Sequence, residues 1–87
     1  MSKEAIRRIG LQFDDNTLVP LLFGDHDRNL AQIEEELDVE ISARGNEIVV
    51  TGPKLKLKMA QTVFDVLWDR LTNGLPVGKE EIGRAHV

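Results

Sequence analysis

The chain has 87 residues, of which 41% are hydrophobic and 30% charged, and its fifteen acidic and eleven basic residues give a formal net charge of −4. This length allows one domain that buries about 60 to 65% of its unfolded-state surface. The composition excludes collagen-like and disordered chains, and the absence of cysteine excludes disulfides, thiolate metal sites and cysteine nucleophiles. Because the net charge opposes a polyanionic partner, any nucleic-acid binding must be local.

Long apolar segments are missing from the sequence. No run approaches the roughly 20 residues of a membrane span, and no signal-like apolar stretch follows Met1. A cytoplasmic protein without a membrane partner is therefore expected.

A strand and a short helix are predicted first. Residues 6 to 13 alternate apolar and polar side chains, the period-two pattern of a half-buried strand. Leucines at helical spacing follow, and Pro20 fits that helix only in its first turn. The helix should begin near residue 16 or 17 and end at Gly24, which suits a left-handed position after a helix.

The second helix should begin directly after a very short loop. Asp25, His26 and Asp27 form this loop, and either Asp27 or Asn29 is expected to cap the helix. The inward face of the helix should carry three aliphatic residues: Leu30, Ile33 and Leu37.

Two alternating segments on either side of Gly45-Asn46 predict a β-hairpin with a type II′ turn, in which the first central residue needs a positive φ. Gly52-Pro53 then ends the hairpin and opens the last helix. Its inward stripe should contain Leu57, Ala60, Phe64, Leu67 and Leu71, widened by Met59, Val63 and Trp68.

Asn73-Gly74 is expected to end this helix, because asparagine and glycine are the residues that most often follow a helix in the left-handed conformation. Residues 75 to 87 show no sustained periodicity and contain one proline and two glycines, so they are predicted to be a linker. The domain is therefore expected to span residues 1 to 74.

The order strand, helix, helix, strand, strand, helix, with a Gly-x-x loop between the first two helices, resembles a type I KH domain. The resemblance implies an α+β fold in which three helices pack on one face of a three-stranded antiparallel sheet. The amino-acid sequence of residues 22 to 52 more closely resembles the N-terminal domain of PhoH-like P-loop ATPases, and the segments that carry this resemblance are LFG, IEEELDVEI, ARGNEI and VVTG. That similarity covers roughly residues 6 to 77 and implies that residues 75 to 87 lead to a C-terminal ATPase domain missing from this chain.

The same resemblance implies an accessory domain that binds single-stranded RNA for the parent ATPase. ATP and Mg²⁺ would belong to the parent, no cofactor is expected in this chain, and the other expected partners are the ATPase domain and further copies in a homo-oligomer. In KH domains the Gly-x-x-Gly loop brings backbone amides to phosphates; here Asp27 replaces the second glycine. The bases would lie in the groove between the first two helices and the Val39 to Arg44 strand. The expected nucleic-acid-binding residues are Gly24, Asp25, His26, Arg28, Asn29 and Arg44.

Other interpretations of the chain remain open. The Gly24 loop can be a simple helix-helix turn with an aspartate cap. The acidic balance, the acidic loop and the short Gly45-Asn46 turn favour a degenerate KH-like domain that serves as an assembly or docking module without nucleic-acid binding.

Catalysis and metal binding are not expected. The string from Gly74 to Glu80 resembles a phosphate-binding P-loop, but it is one residue short and has Glu80 where the magnesium-binding Ser or Thr belongs. Asp25, His26 and Asp27 are adjacent in one loop, and His86 lies in the predicted linker, so they do not have the spacing of a metal site. No serine, histidine and acid set suggests a catalytic triad.

Overall fold

Three strands and four helices follow one another in residues 5 to 85, the part of the chain that the computed structural model describes. Within this part, no helix combines the length and the apolar character needed to cross a membrane. The elements in chain order are β1 (Ile6–Gln12), α1 (Val19–Phe23), a 3₁₀ turn (Asp25–Asp27), α2 (Arg28–Leu37), β2 (Glu40–Arg44), β3 (Glu47–Pro53), α3 (Lys54–Thr72) and α4 (Lys79–Ala85).

The three strands form one antiparallel sheet with the order β1-β3-β2. Val50 of the central strand pairs with Ile9 on one side and with Ile41 on the other. The α+β class and the three-stranded antiparallel sheet predicted from the sequence are therefore confirmed.

The β2-β3 hairpin has the predicted two-residue turn. Arg44 pairs with Glu47 across it, and Gly45 has a φ of 61° while Asn46 has a negative φ. Asn46 also closes the neighbouring edge, because its side-chain amide donates to the Phe13 carbonyl at 2.6 Å and its own carbonyl accepts from the Phe13 amide at 2.9 Å. The hairpin end and the end of β1 are thus tied together.

Helices cover one face of the sheet. Ile48 and Val50, which point to that face, are fully buried, whereas Glu47, Val49 and Thr51 alternate with them on the other face and are exposed or half-buried. α3 packs against β1 and β3, and α2 packs against β2.

The core lies between the sheet and α3. The predicted inward stripe of α3 is confirmed, since Leu57, Ala60, Val63, Phe64, Leu67 and Leu71 are all buried. Phe13 completes this layer, with its ring centroid 4.9 Å from that of Trp68. α3 ends in a Schellman motif: the Leu75 amide donates to the Arg70 carbonyl at 2.8 Å, and Gly74 has a φ of 77°.

The first helix begins at Val19, later than the predicted residue 16 or 17. The reason is the Asp15 carboxylate, which accepts the Thr17 amide at 2.9 Å and the Thr17 hydroxyl at 2.5 Å. These bonds hold residues 16 to 18 in a turn instead of a helix. Pro20 lies in the first turn of α1, as predicted.

The segment predicted to be a linker contains α4, so the prediction of irregular structure is wrong for residues 79 to 85. α4 packs on α2 and α3 and buries Ile82 to 1% exposure. A seven-residue helix with one fully buried side chain is too short to show helical periodicity. That the chain continues from here into another domain stays a prediction.

Candidate functional site

Position 24, at the junction of α1 and α2, requires a glycine for two reasons: the backbone angles there and the closeness of the Asn29 side chain. Its φ of 79° and ψ of 171° lie in a region open essentially to glycine alone. The positive φ was predicted, but the ψ differs from that of the left-handed helical conformation. A Cβ atom placed here would lie 2.9 Å from the Cγ atom of Asn29. The Gly24 amide donates to the Pro20 carbonyl at 2.9 Å, which ends α1.

The three loop residues after Gly24 are exposed and tightly turned. His26 and Asp27 both have left-handed backbone angles, with φ of 54° and 57°. Asp27 occupies the N-cap position of α2, but its side chain makes no capping hydrogen bond. The predicted aspartate cap is therefore wrong, because a capping side chain needs an extended backbone at that residue.

Asn29 does not cap α2 either; it fastens α1 to α2. Its side chain is 5% exposed, and its amide nitrogen lies 3.1 Å from the Leu22 carbonyl and 3.4 Å from the Leu21 carbonyl. These carbonyls belong to the last turn of α1, where helical partners are lacking. The Asn29 side chain thus has a structural partner on the inner side of the loop.

A cavity of about 440 Å³ lies beside Gly24. Its walls come from α1, from the start of α2 and from the segment that leads into α4. Two cations line it, Arg28 and Lys79, against one carboxylate, Asp25. The charge at this cavity is therefore positive although the whole chain is acidic. The cavity is lined by Pro20, Leu21, Gly24, Asp25, Arg28, Asn29, Gln32, Val77, Gly78 and Lys79.

Lys79 is not among the predicted site residues, because the sequence predicted a linker for residues 75 to 87. Its position is fixed by Gln32, whose amide nitrogen donates to the Lys79 carbonyl at 2.9 Å and to the Glu36 carboxylate at 2.7 Å. The Glu81 carboxylate accepts the Gly78 amide at 2.7 Å. The Gly-x-x-Glu spacing at residues 78 to 81 was the available signal, since it is the spacing of a helix N-terminal capping glutamate.

Arg44 lies apart from the Gly24 cavity. It lines a different cavity of about 280 Å³ near the turn of the hairpin, together with Glu47, with which it pairs across the strands. The structure therefore brings Gly24, Asp25, Arg28 and Asn29 together around one cavity. His26 lies in the adjoining loop.

An acidic side chain stands between α2 and β2, where the bases were expected. The Glu34 carboxylate accepts the Ile41 amide at 2.7 Å, and the Val39 amide donates to the Glu34 carbonyl at 3.2 Å. Both bonds hold the start of β2 close to α2. A phosphate chain in this groove would meet the Glu34 charge.

Residues 5 to 85 contain no group of three or more His, Asp or Glu side chains placed to hold a metal ion. His86 lies outside the described residues.

No protein-family model, curated protein or solved structure gives a significant match to this chain.

Proposed function

We propose that this chain is a KH-like domain that binds single-stranded nucleic acid, and RNA in particular, through the Gly24 cavity. The order β-α-α-β-β-α, the sheet order β1-β3-β2 and the three-residue loop between α1 and α2 support this proposal. The fourth helix, α4, is an addition to the predicted set. Its first residue, Lys79, and the two residues before it supply one wall of the cavity.

The observation that carries the proposal is the pair of cations beside a glycine that cannot be replaced without strain. Arg28 and Lys79 line the same cavity, and a guanidinium with an ammonium is a suitable set for a phosphate. Gly24 leaves room for the Asn29 side chain at the end of α1, and this contact holds the start of α2, where Arg28 lies, beside the cavity. Asp25 opposes the anion, and binding should consequently be weak and sensitive to salt.

The resemblance to PhoH-like ATPases extends the proposal to the parent protein. On that interpretation the domain presents single-stranded RNA to a cytoplasmic ATPase, which supplies the ATP and Mg²⁺ site and the contacts for a homo-oligomer. This chain would contribute binding and no catalysis.

A titration with a short single-stranded RNA, followed by fluorescence anisotropy at two salt concentrations, tests the proposal. Wild type should bind at low salt and lose affinity as salt rises. Binding releases counterions from the RNA, and this release is less favourable when the salt concentration is high. Arg28→Gln should weaken binding and lower the slope of log K against log salt by about 0.7, the value for one contact to a single strand. Gly24→Asp is a poorer probe because any side chain there strains the loop.

Lys54→Gln is the matched control for Arg28→Gln. Lys54 begins α3, and Leu71, which packs near α1, lies seventeen residues further along that helix. At 1.5 Å per residue this separation is about 25 Å. Lys54→Gln should leave the salt slope unchanged, and an equal loss in both variants would mean that binding is a general charge effect.

A second function, docking to a protein partner without nucleic acid, is favoured by the carboxylates near the loop. Asp25 and Asp27 follow Gly24 in the loop, and Glu34 occupies the groove beside β2. The two-residue hairpin turn also offers no long loop to hold a strand. Absence of RNA binding by wild type at low salt would favour this function over the first.

A further inference from the structure

An apolar groove adjoins the Gly24 cavity. It has a volume of about 370 Å³ and lies between α1, the end of α3 and residues 74 to 77. Leu21 and Leu75 are 56% and 47% exposed there. The described residues that line the groove are all uncharged, and its main side chains are Leu18, Leu21, Leu71, Leu75, Pro76 and Val77.

The groove and the cavity are adjacent. Leu21 and Val77 line both of them, so the cationic cavity with Arg28 and Lys79 lies next to the apolar groove. A single strand of nucleic acid has the matching pattern, since each charged phosphate is followed by a base with a broad apolar face.

We propose that the bound strand crosses the C-terminal segment of the domain. One phosphate lies between Arg28 and Lys79, and the neighbouring base lies in the apolar groove against Leu21 and Leu75. This inference rests on the proposed nucleic-acid binding and specifies the path of the strand.

The opposite path, along β2, is electrostatically poorer. The Glu34 carboxylate lies between α2 and β2, and Arg44 is next to Glu47 at the far end of that strand. A phosphate on this path would meet Glu34 near α2 and a cation with a carboxylate neighbour near the turn. The path over residues 74 to 79 meets Arg28 and Lys79 against the single carboxylate of Asp25 in the cavity, and the described residues that line the groove include no carboxylate.

The C-terminal wall of this path is held in place by hydrogen bonds. Gln32 donates to the Lys79 carbonyl at 2.9 Å, and the Arg70 side chain donates from Nε to the Pro76 carbonyl at 3.1 Å. Between them the wall is anchored to both α2 and α3. A preformed wall loses little conformational freedom when a ligand binds.

The experiment compares four single variants for binding to a short single-stranded RNA over a range of salt. Lys79→Gln should weaken binding and lower the salt slope by about 0.7. Leu75→Gln should weaken binding about fivefold with an unchanged slope, because it removes apolar contact area and no charge. Arg44→Gln reports on the β2 path and should have a smaller effect than Lys79→Gln. Lys54→Gln is the remote control.

Inorganic polyphosphate, which has phosphates and no bases, serves as the matched ligand. Lys79→Gln should weaken its binding, and Leu75→Gln should not. All four substituted residues are exposed, so equal thermal midpoints should confirm that the variants remain folded.

Three results would overturn the path. A larger effect of Arg44→Gln than of Lys79→Gln would place the strand on β2. An unaltered RNA affinity in Leu75→Gln would show that the bases do not lie in the groove. Equal losses of affinity in all four variants would indicate non-specific attraction. If wild type binds no RNA at low salt, the proposed function itself fails and the path fails with it.

Discussion

At the scale of single residues, Asn29 and Gly24 form one unit. Among the residues that the structure describes, Asn29 is the only buried polar side chain, and the atoms nearest to a Cβ at Gly24 belong to it. The asparagine satisfies the carbonyls at the end of α1, and the glycine leaves room for it. The loop geometry beside the cavity thus depends on a contact between one residue before the loop and one residue after it.

Asn29→Ala should lower the free energy of unfolding by roughly 1 to 3 kcal/mol, because it leaves two helix-end carbonyls without their donor. Urea denaturation measures this loss. Asn16→Ala is the matched control: Asn16 is exposed, and surface substitutions usually change stability by less than about 0.5 kcal/mol. Equal midpoints for the two variants would contradict the role given to Asn29.

Gly24→Ala should cost about 1 to 3 kcal/mol from the backbone angles alone, with a further cost from the contact with Asn29. In the Asn29→Ala background the contact is removed and only the backbone cost remains. A double-mutant cycle by urea denaturation should therefore give a non-zero coupling energy. Strictly additive effects of the two substitutions would show that a side chain at position 24 does not contact Asn29.

Asp15 gives the chain a predictable response to acid. The Thr17 hydroxyl donates to its carboxylate and lowers the pKa of Asp15 below the ordinary value of 3.8, with the Thr17 amide as the next cause. Because the folded pKa is lowered, the stabilising bond is present at neutral pH and is lost as the pH falls through that pKa. Thr17→Ala should raise the Asp15 pKa toward 3.8, as measured by NMR titration of the carboxyl carbon. An unchanged titration curve would show that the hydroxyl does not bond to the carboxylate.

At the scale of elements, α4 links the Gly24 cavity to the core. Ile82 is buried between α2 and α3, while the cavity residue Lys79 lies one turn before it. Within the same helix, Glu80 and Arg84 form an exposed ion pair of 3.6 Å. Exposed pairs of this kind contribute little to stability, so the attachment of α4 depends on Ile82.

Ile82→Ala should lower the free energy of unfolding by roughly 2 to 5 kcal/mol, as expected for a large aliphatic side chain removed from a core. Glu80→Ala, in the same helix, should change it by less than about 1 kcal/mol. Thermal or urea unfolding of both variants provides the comparison. An unstructured linker would give the same small effect for each substitution, and that result would contradict the packing of α4.

At the scale of the whole molecule, one core holds the described residues together. The radius of gyration is 12.6 Å, close to the roughly 12 Å expected for a compact chain of this length. α3 spans the core, with a buried stripe toward the sheet and exposed residues such as Leu55 on its other side. The surface remains acidic overall, and the cavity beside Gly24 is a local exception.

Leu67→Ala should cost roughly 2 to 5 kcal/mol because Leu67 is fully buried. Leu55→Ala makes the same chemical change in the same helix at a site that is 63% exposed. It should have a small effect. Denaturant midpoints that shift equally in the two variants would show that the inward stripe of α3 is assigned to the wrong face.

Patterns of short range allowed most of the fold to be predicted. The alternation around Gly45-Asn46 predicted the hairpin, and the spacing from Leu57 to Leu71 predicted the buried face of α3. Four residues that line the cavity were candidate site residues from the sequence: Gly24, Asp25, Arg28 and Asn29. The sequence did not predict that Asn29 is buried or that Lys79 lines the cavity.

The sequence by itself determined the strands, the hairpin turn, the α3 stripe and the glycine break, because each depends on the periodicity or turn preference of neighbouring residues. The tertiary structure alone decided which side chains meet at the cavity. The bond from Gln32 to the Lys79 carbonyl joins residues 47 positions apart, and Ile82 is buried only because α2 and α3 provide a surface for it. Contacts of this kind leave no local pattern, since they depend on how distant elements pack against one another.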